Sequence, residues 1–403
     1  MTVLTSTRGQ AGLPRYFGAV FKVAQSMEHG RLDIRLPDGR VFRAEGRKPG
    51  PAAELVVNSP EIFARLIREG DLGFCDAYMD GWWSTPDLQN FMDLVHADND
   101  MIYNGFPGMN LVRAYERLRF RLRSNSKRQA RKNVSYHYDL GNDFYELWLD
   151  DTMTYSSAYF KTGRESLEKA QTQKYGLLID QMGVRPGDHV LEIGCGWGGF
   201  AEYAARQRGL KVTCLTISKK QHDFAVARMR QLGLEGRVAI KLQDYRDELG
   251  RYDGIASIEM FEAVGEKYWP TYFSTVHNRL KPGKNATLQV IMVQERRWET
   301  YRRSVDFIQK YIFPGGMLPS PGILRKEVEN AGLIMRNSVE FGQSYGKTLR
   351  RWHRAFNETW DQAQAMGFDT RFRRMWNFYL TSCASTFQSG YCNVAQITIT
   401  RPG

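Results

Sequence analysis

The sequence has no apolar run long enough to span a bilayer. Its longest runs are strand-length, well short of the roughly 20 residues a membrane-crossing helix needs. It has few cysteines, and Cys75, Cys195, Cys214, Cys383 and Cys392 fall at neither metal-ligand nor disulfide-framework spacings. That pattern argues against a structural zinc centre and a disulfide-stapled scaffold. No metal is expected, and a reducing cytoplasm is the expected compartment. No apolar h-region follows the opening MTVLTSTRGQ, so no secretory signal is expected. Zinc-finger spacing and RNP-like aromatic strands are also missing, which argues against a nucleic-acid module. Disorder is excluded as the overall state, because 42% of residues are hydrophobic and 13% aromatic.

Positive charge is in excess. There are 56 Lys and Arg against 44 Asp and Glu, a formal net charge of +12, which favours an anionic partner. Much of it lies in RAYERLRFRLRSNSKRQARK, Arg113 to Lys132, with nine basic residues and one acid, Glu116. Arg alternates there with Leu and Phe, so the basic heads can snorkel from a lipid interface. An exposed interdomain helix is the plainer alternative. The expected partner is the anionic membrane surface at the inner face, met peripherally, and not nucleic acid.

The pattern divides the chain into residues 1–110, a basic linker at 111–134, and residues 135–403. In the first unit LDIRLPDGRVFRAE, Leu32 to Glu45, alternates about Pro37-Asp38-Gly39 and predicts a hairpin. Ser59-Pro60-Glu61 then opens an amphipathic helix carrying Ile62, Phe63, Leu66 and Ile67, and another amphipathic segment follows Pro86. This is a small α+β unit. The last unit opens on the aromatic stretch Ser135 to Phe160. A helix over Ser166–Met182 follows, ended by Gly183. HVLEIGC, KVTCLTIS, VAIKLQD, YDGIASI and ATLQVIMV then predict strands separated by helices. That alternation defines an α/β fold with a mostly parallel, doubly wound, Rossmann-like sheet.

The sharpest local motif is Val190-Leu191-Glu192-Ile193-Gly194-Cys195-Gly196-Trp197-Gly198-Gly199-Phe200. An apolar strand runs into glycines and then a helix, so backbone can pass close under a ligand beside unpaired N–H groups. The spacing ExGxGxGG differs from the GxGxxG of dinucleotide enzymes and resembles class I methyltransferases. That resemblance implies S-adenosylmethionine as cofactor. Glu192, Gly194 and Gly196 are expected at its methionine part, Thr216 and Gln221 near the ribose, and Gln243 and Asp244 near the adenine.

Between about residues 135 and 395 the stretches YHYDLGNDFYELWLD, YSSAYF, LEIGCGWGG, SIEMFEAVG, DFIQKYIFPGGMLPS and FGQSYGKTL occur in order. Together they resemble the signatures of the cyclopropane-fatty-acid synthase family, and GDLGFCDAYMDGWW near the N-terminus is similar as well. The family methylates unsaturated acyl chains of phospholipids. By this resemblance Tyr155 and Ser156 contact S-adenosylmethionine from outside the sheet. Glu262 sits beside the reacting alkene and Tyr345 faces the same pocket. Tyr136, His137 and Tyr138 are weaker nominations.

A cis double bond is a weak nucleophile, so the methyl donor must be held against it in a water-poor site. Attack leaves positive charge on an acyl carbon, which carboxylate and aromatic faces stabilise; Glu262 and Tyr345 are expected to do this. A base then removes a proton. The resemblance implies bound bicarbonate, held by a Cys, a Glu, a His and a Tyr. Here the cysteine position is Ser157 and the histidine position Gln289, while Ala263 replaces a frequent histidine. Neither Ser157 nor Gln289 can become cationic, so anion affinity should fall. The expected product is therefore a methyl- or methylene-branched chain, the latter feeding a separate reductase. The alternative is a cyclopropane made with weakly held bicarbonate. A methyltransferase on another substrate, and a non-catalytic lipid-binding protein, remain as rivals. A homodimer is plausible by resemblance alone.

Overall fold

The computed structural model describes residues 3–98 and 140–403, together with Gln129. The basic segment Arg113–Lys132, Gln129 apart, and the triplet Tyr136, His137 and Tyr138 lie outside the described residues.

The hairpin forms as its turn predicts. Strand β2 (His29–Arg35) pairs antiparallel with β3 (Val41–Glu45), with Gly39 at φ 88° and Asp38 accepting from the Arg40 N–H at 3.0 Å. With β1 (Val3–Leu4), β4 (Lys48–Val57) and β5 (Trp83–Ser84) it makes a sheet of order β1-β3-β2-β4-β5. Helices α1 (Phe17–Ala24), α2 (Ile62–Met79) and α3 (Leu88–Ala97) accompany it. The start of α2 departs from expectation. Ser59 lends its carbonyl to the Ile62 N–H at 3.2 Å, and among the described residues no side chain caps the helix. Gly70, at φ 63° and ψ −144°, also breaks α2 midway, which apolar periodicity cannot register. Helix α3 has a true cap, Asp87 accepting from the Asn90 N–H at 3.0 Å.

The second unit has a short helix α4 (Asn142–Glu146) and then α5 (Leu167–Met182). Ser166 caps α5 at one end and Gly183, at φ 71°, ends it at the other. Strands β6 (His189–Ile193), β7 (Lys211–Thr216), β8 (Val238–Leu242), β9 (Tyr252–Ile258), β10 (Leu280–Val293), β11 (Ile334–Glu340) and β12 (Cys392–Thr400) form one sheet. Its order is β11-β12-β10-β9-β6-β7-β8. The pairings from β8 through β10 are all parallel, and only β12 runs against its neighbours. Helices α6 (Gly199–Arg208), α7 (Lys219–Gln231) and α8 (Trp269–Arg279) make the early crossovers. After β10 come α9 (Trp298–Arg302) and α10 (Pro321–Asn330). Helices α11 (Gly342–Glu358), α12 (Trp360–Ala365) and α13 (Thr370–Gln388) then lead back to β12. The strand order reverses at β6, where such sheets bind ligands outside their carboxyl ends.

One apolar cluster runs from Phe17, Phe42 and Trp83 of the first unit to Trp376, Phe378 and Tyr379 on α13. Tyr78 and Phe378 lie 5.7 Å apart, centroid to centroid. Polar ties cross the same seam: Arg350 to Asp93 at 2.9 Å, Gln89 Nε2 to Ser385 Oγ at 2.8 Å, and Arg374 to the Tyr78 carbonyl at 3.0 Å. The first unit is thus a wall of the second, closing the space above its sheet.

Candidate active site

Every residue nominated for the cofactor lines one cavity at the carboxyl end of β6, β7 and β9: Tyr155, Ser156, Glu192, Gly194, Gly196, Thr216, Gln221, Gln243 and Asp244. Gly194, Gly196 and Gly198 all have positive φ, and a Cβ on Gly194 would lie 2.6 Å from Met260 Cγ. Gly194 and Cys195 both donate N–H to the Leu215 carbonyl at 3.0 Å, which pins the turn to β7. Thr216 Oγ1 donates to Gln221 Oε1 at 3.0 Å, and Ser218 caps α7 by accepting from the Gln221 N–H at 3.3 Å. Gln243 reaches Glu248 at 3.3 Å. Asp244 is buried and bound by the Arg246 guanidinium at 2.7 and 2.8 Å, so it is not a plain surface acid.

Glu192 tests the fit of the cofactor. Its carboxyl is buried, touches Cys214 Sγ at 3.4 Å, and is pushed up to about 8 chiefly by burial. A ligand bearing an ammonium or sulfonium charge compensates such a group. The glycine cradle and Glu192 therefore fit S-adenosylmethionine.

Tyr155 leads from this cavity into a second one of about 690 Å³, and the two share Tyr155, Glu259 and Ala263. Apolar side chains of the first unit, among them Met27, Leu55, Leu66 and Met92, line the far wall. Its near end holds Glu259, Glu262 and Tyr345. Aromatic rings crowd that end: Tyr155 packs against Trp352 at 5.3 Å and hydrogen-bonds Tyr379 at 2.8 Å, and Tyr345 stacks on Phe387 at 4.4 Å.

Glu259 organises the site, although the sequence reading passed over it. It follows β9 directly in a left-handed backbone conformation, φ 49°, which is costly for a non-glycine residue. Its Oε1 accepts from the Ser157 N–H at 2.8 Å and from Gln289 Nε2 at 2.7 Å, and its Oε2 from the Tyr345 hydroxyl at 2.6 Å. A chain of amides sets the Gln289 orientation. Gln181 donates to Gln396 at 2.8 Å, and Gln396 donates to Gln289 Oε1 at 3.2 Å, which turns the Gln289 NH₂ toward Glu259. Burial raises the Glu259 pKa; the Tyr345 hydrogen bond and the Lys174 charge oppose that rise. Lys174 is itself buried, donates to Ser156 Oγ at 2.7 Å, and has its pKa lowered by burial.

Ser157 and Gln289 stand one layer back from the place expected of them. Neither lines either cavity, and the Ser157 hydroxyl turns away to donate to the Ala158 carbonyl at 2.9 Å. Both act on Glu259. Glu262 does face the apolar cavity: Oε1 accepts from the Ile291 N–H at 2.5 Å, and Oε2 is buried without a hydrogen-bond partner among the described residues. Burial first, and the Glu259 charge second, push it up to about 8. That shift favours its neutral form, where the sequence suggested a carboxylate. One signal could have found Glu259: in SIEMFEAVG it is the acid nearest the strand's carboxyl end.

The strand order, with its single reversed strand and the glycine turn after β6, defines a class I S-adenosylmethionine-dependent methyltransferase. The family model described as mycolic acid cyclopropane synthetase matches residues 125–397, and the chain belongs to that family. It is 37% identical over 370 residues to a tuberculostearic acid methyltransferase of Mycobacterium tuberculosis, covering 89% of this chain and 86% of the relative. It is also 37% identical over 352 residues to the cyclopropane-fatty-acyl-phospholipid synthase of Escherichia coli, covering 87% and 88%. The crystal structure of the mycolic acid cyclopropane synthase CmaA1, complexed with SAH and CTAB, is 32% identical. It superposes with a TM-score of 0.64 over 67% of this chain and 97% of that one. The protein is thus an S-adenosylmethionine-dependent enzyme that modifies an unsaturated fatty-acyl chain. Among the described residues no helix is long and apolar enough to cross a membrane.

Proposed function

We propose that the protein methylates a cis double bond in the acyl chain of a membrane phospholipid and closes a cyclopropane ring there. The observation that carries this reading is the junction. Tyr155, Glu259 and Ala263 line both cavities, so the cofactor site opens on the apolar cavity where an acyl chain can lie.

Bound S-adenosylmethionine supplies an electrophilic methyl group. The chain's own residues do the rest. Met27, Leu55 and Leu66 exclude water from the acyl chain, and the Tyr155 and Tyr345 rings face the positive charge that develops on it. The π electrons of the alkene would form the first carbon–carbon bond to the methyl group that bound S-adenosylmethionine would supply. Loss of a proton from that methyl releases the electron pair for the second bond and closes the ring.

The sequence reading favoured a branched product because Ser157 and Gln289 hold an anion poorly. Their N–H groups bond Glu259, which supports the reading that a carboxylate of the protein serves where an anion was expected. That removes the reason to expect a branch. A methyl-branched product remains a second reading, favoured by the 37% identity to the tuberculostearic acid methyltransferase, and it requires a separate reductase.

The test is to supply purified protein with S-adenosylmethionine and vesicles of cis-monounsaturated phosphatidylethanolamine. Proton NMR of the extracted lipid should show the upfield cyclopropane methylene; exocyclic methylene signals in its place would overturn the ring assignment. Anionic lipid should strengthen vesicle binding through Arg113–Lys132, each basic residue near the surface contributing about 1 kcal/mol. Binding unchanged between low and high salt would contradict that.

A further inference from the structure

Proton removal needs a base that is ionised, dry, and within reach of both the methyl group and the acyl chain. We propose that Glu259 is that base, so that the protein carries its own carboxylate for the step and needs no exogenous anion. This rests on the methyl-transfer reading above and names the group that completes it.

Three geometric observations carry the assignment. First, Glu259 lines both cavities, so it stands where the methyl passes from one to the other. Second, its carboxylate is held at both oxygens. The Ser157 N–H and the Gln289 NH₂ can only donate, so Oε1 is an acceptor in every protonation state. The incoming proton must go to Oε2, where the Tyr345 hydroxyl now donates and can turn to accept. Third, two carboxyls share this dry end, and charge on one disfavours ionising the other. Among the described residues Glu262 has one backbone donor at Oε1 and none at Oε2, whereas Glu259 has three donors. The negative charge therefore rests on Glu259, and buried Lys174 supports it there.

The step balances. A C–H bond of the transferred methyl breaks and its electron pair forms the second ring bond. The proton passes to Glu259 Oε2 and leaves to solvent before the next turnover. No oxidant or reductant is involved. A carboxylate in this place also keeps positive charge stabilised on the acyl chain until the ring closes.

The experiment uses the full chain in buffer stripped of CO₂, with cis-monounsaturated phospholipid vesicles, and compares native protein with Glu259→Gln and Glu259→Ala. Product is read by mass spectrometry, and S-adenosylhomocysteine affinity by calorimetry to confirm folding and the cofactor site. Native protein should work at full rate without CO₂. Glu259→Gln should lose at least ~100-fold in product formation, the ordinary worth of a positioned base. Its S-adenosylhomocysteine affinity should stay within about threefold, a factor worth under 1 kcal/mol. Glu259→Ala should regain part of its rate with added formate or bicarbonate, which fit the space vacated. Native activity that disappears without CO₂ and returns with bicarbonate would overturn the assignment while leaving the methyl-transfer reading intact. So would a Glu259→Gln variant of native rate. A native protein forming no lipid product under any condition would instead overturn the functional reading, and this assignment with it.

Discussion

The two cavities that meet at Tyr155 are built in opposite ways. The cofactor cavity comes mostly from residues at consecutive strand ends, Glu192 to Gly196, Thr216 to Gln221 and Gln243 to Asp244, each placed by its own strand and turn. The cavity proposed for the acyl chain is assembled from segments scattered between Val20 and Cys392, with apolar side chains of the N-terminal unit among them. The first is local chemistry on a common sheet. The second exists only because α13 and the first unit share a core, so it should fail separately.

The largest effect tests that separation. Trp83 is fully buried in the shared core, and Trp83→Ala should cost about 3–5 kcal/mol of stability. Thermal or urea unfolding measures the loss. At low temperature the folded protein should still bind S-adenosylhomocysteine while lipid methylation collapses. Equal loss of both would merge the two halves.

Gly194→Val attacks the other side. It forces a side chain into a positive-φ position against Met260, a strain of about 1–3 kcal/mol. Cofactor affinity should fall about 10- to 100-fold by calorimetry, with vesicle binding unchanged.

Gln289→Leu is smaller and touches only the junction. Removing one donor to a charged group costs about 1.5–3 kcal/mol. Product formation should drop roughly tenfold or more, and S-adenosylhomocysteine affinity should hold. If affinity fell in step with rate, Gln289 would belong to the cofactor site.

The last effect is on pH dependence. Glu192 in one cavity and Glu262 in the other are both raised from 4.5 to about 8 by burial. A raised carboxyl binds its proton more tightly folded than unfolded. Its contribution to stability is full below pH 4.5 and is lost as pH rises through 8. Cofactor-free protein should therefore melt at a higher temperature at pH 6 than at pH 8.5. Bound S-adenosylhomocysteine, whose ammonium suits an ionised Glu192, should narrow that gap without closing it, since Glu262 lies in the other cavity. A gap untouched by the ligand would separate Glu192 from the cofactor.

The same contrast explains what could be read without coordinates. The glycine turn, the sheet alternation, the helix start near Ser166 and the stop at Gly183 depend on neighbours a few residues away, and all were legible. The kink at Gly70 was not, because a single glycine inside an amphipathic pattern leaves the periodicity intact. Glu262 and Tyr345 were reached through resemblance to a family, and Glu259 lay three residues from Glu262 unnoticed. Its importance comes from Ser157, Gln289 and Tyr345 converging across distances of 102, 30 and 86 residues. Ser157 and Gln289 looked like losses from an anion site while the carboxylate they serve was out of view.

The most direct test is the lipid product formed by native protein in CO₂-free buffer from cis-monounsaturated phospholipid and S-adenosylmethionine. A cyclopropane formed at the same rate with and without added bicarbonate is the predicted result. A branched chain, or a ring that forms only when bicarbonate is returned, would contradict the account.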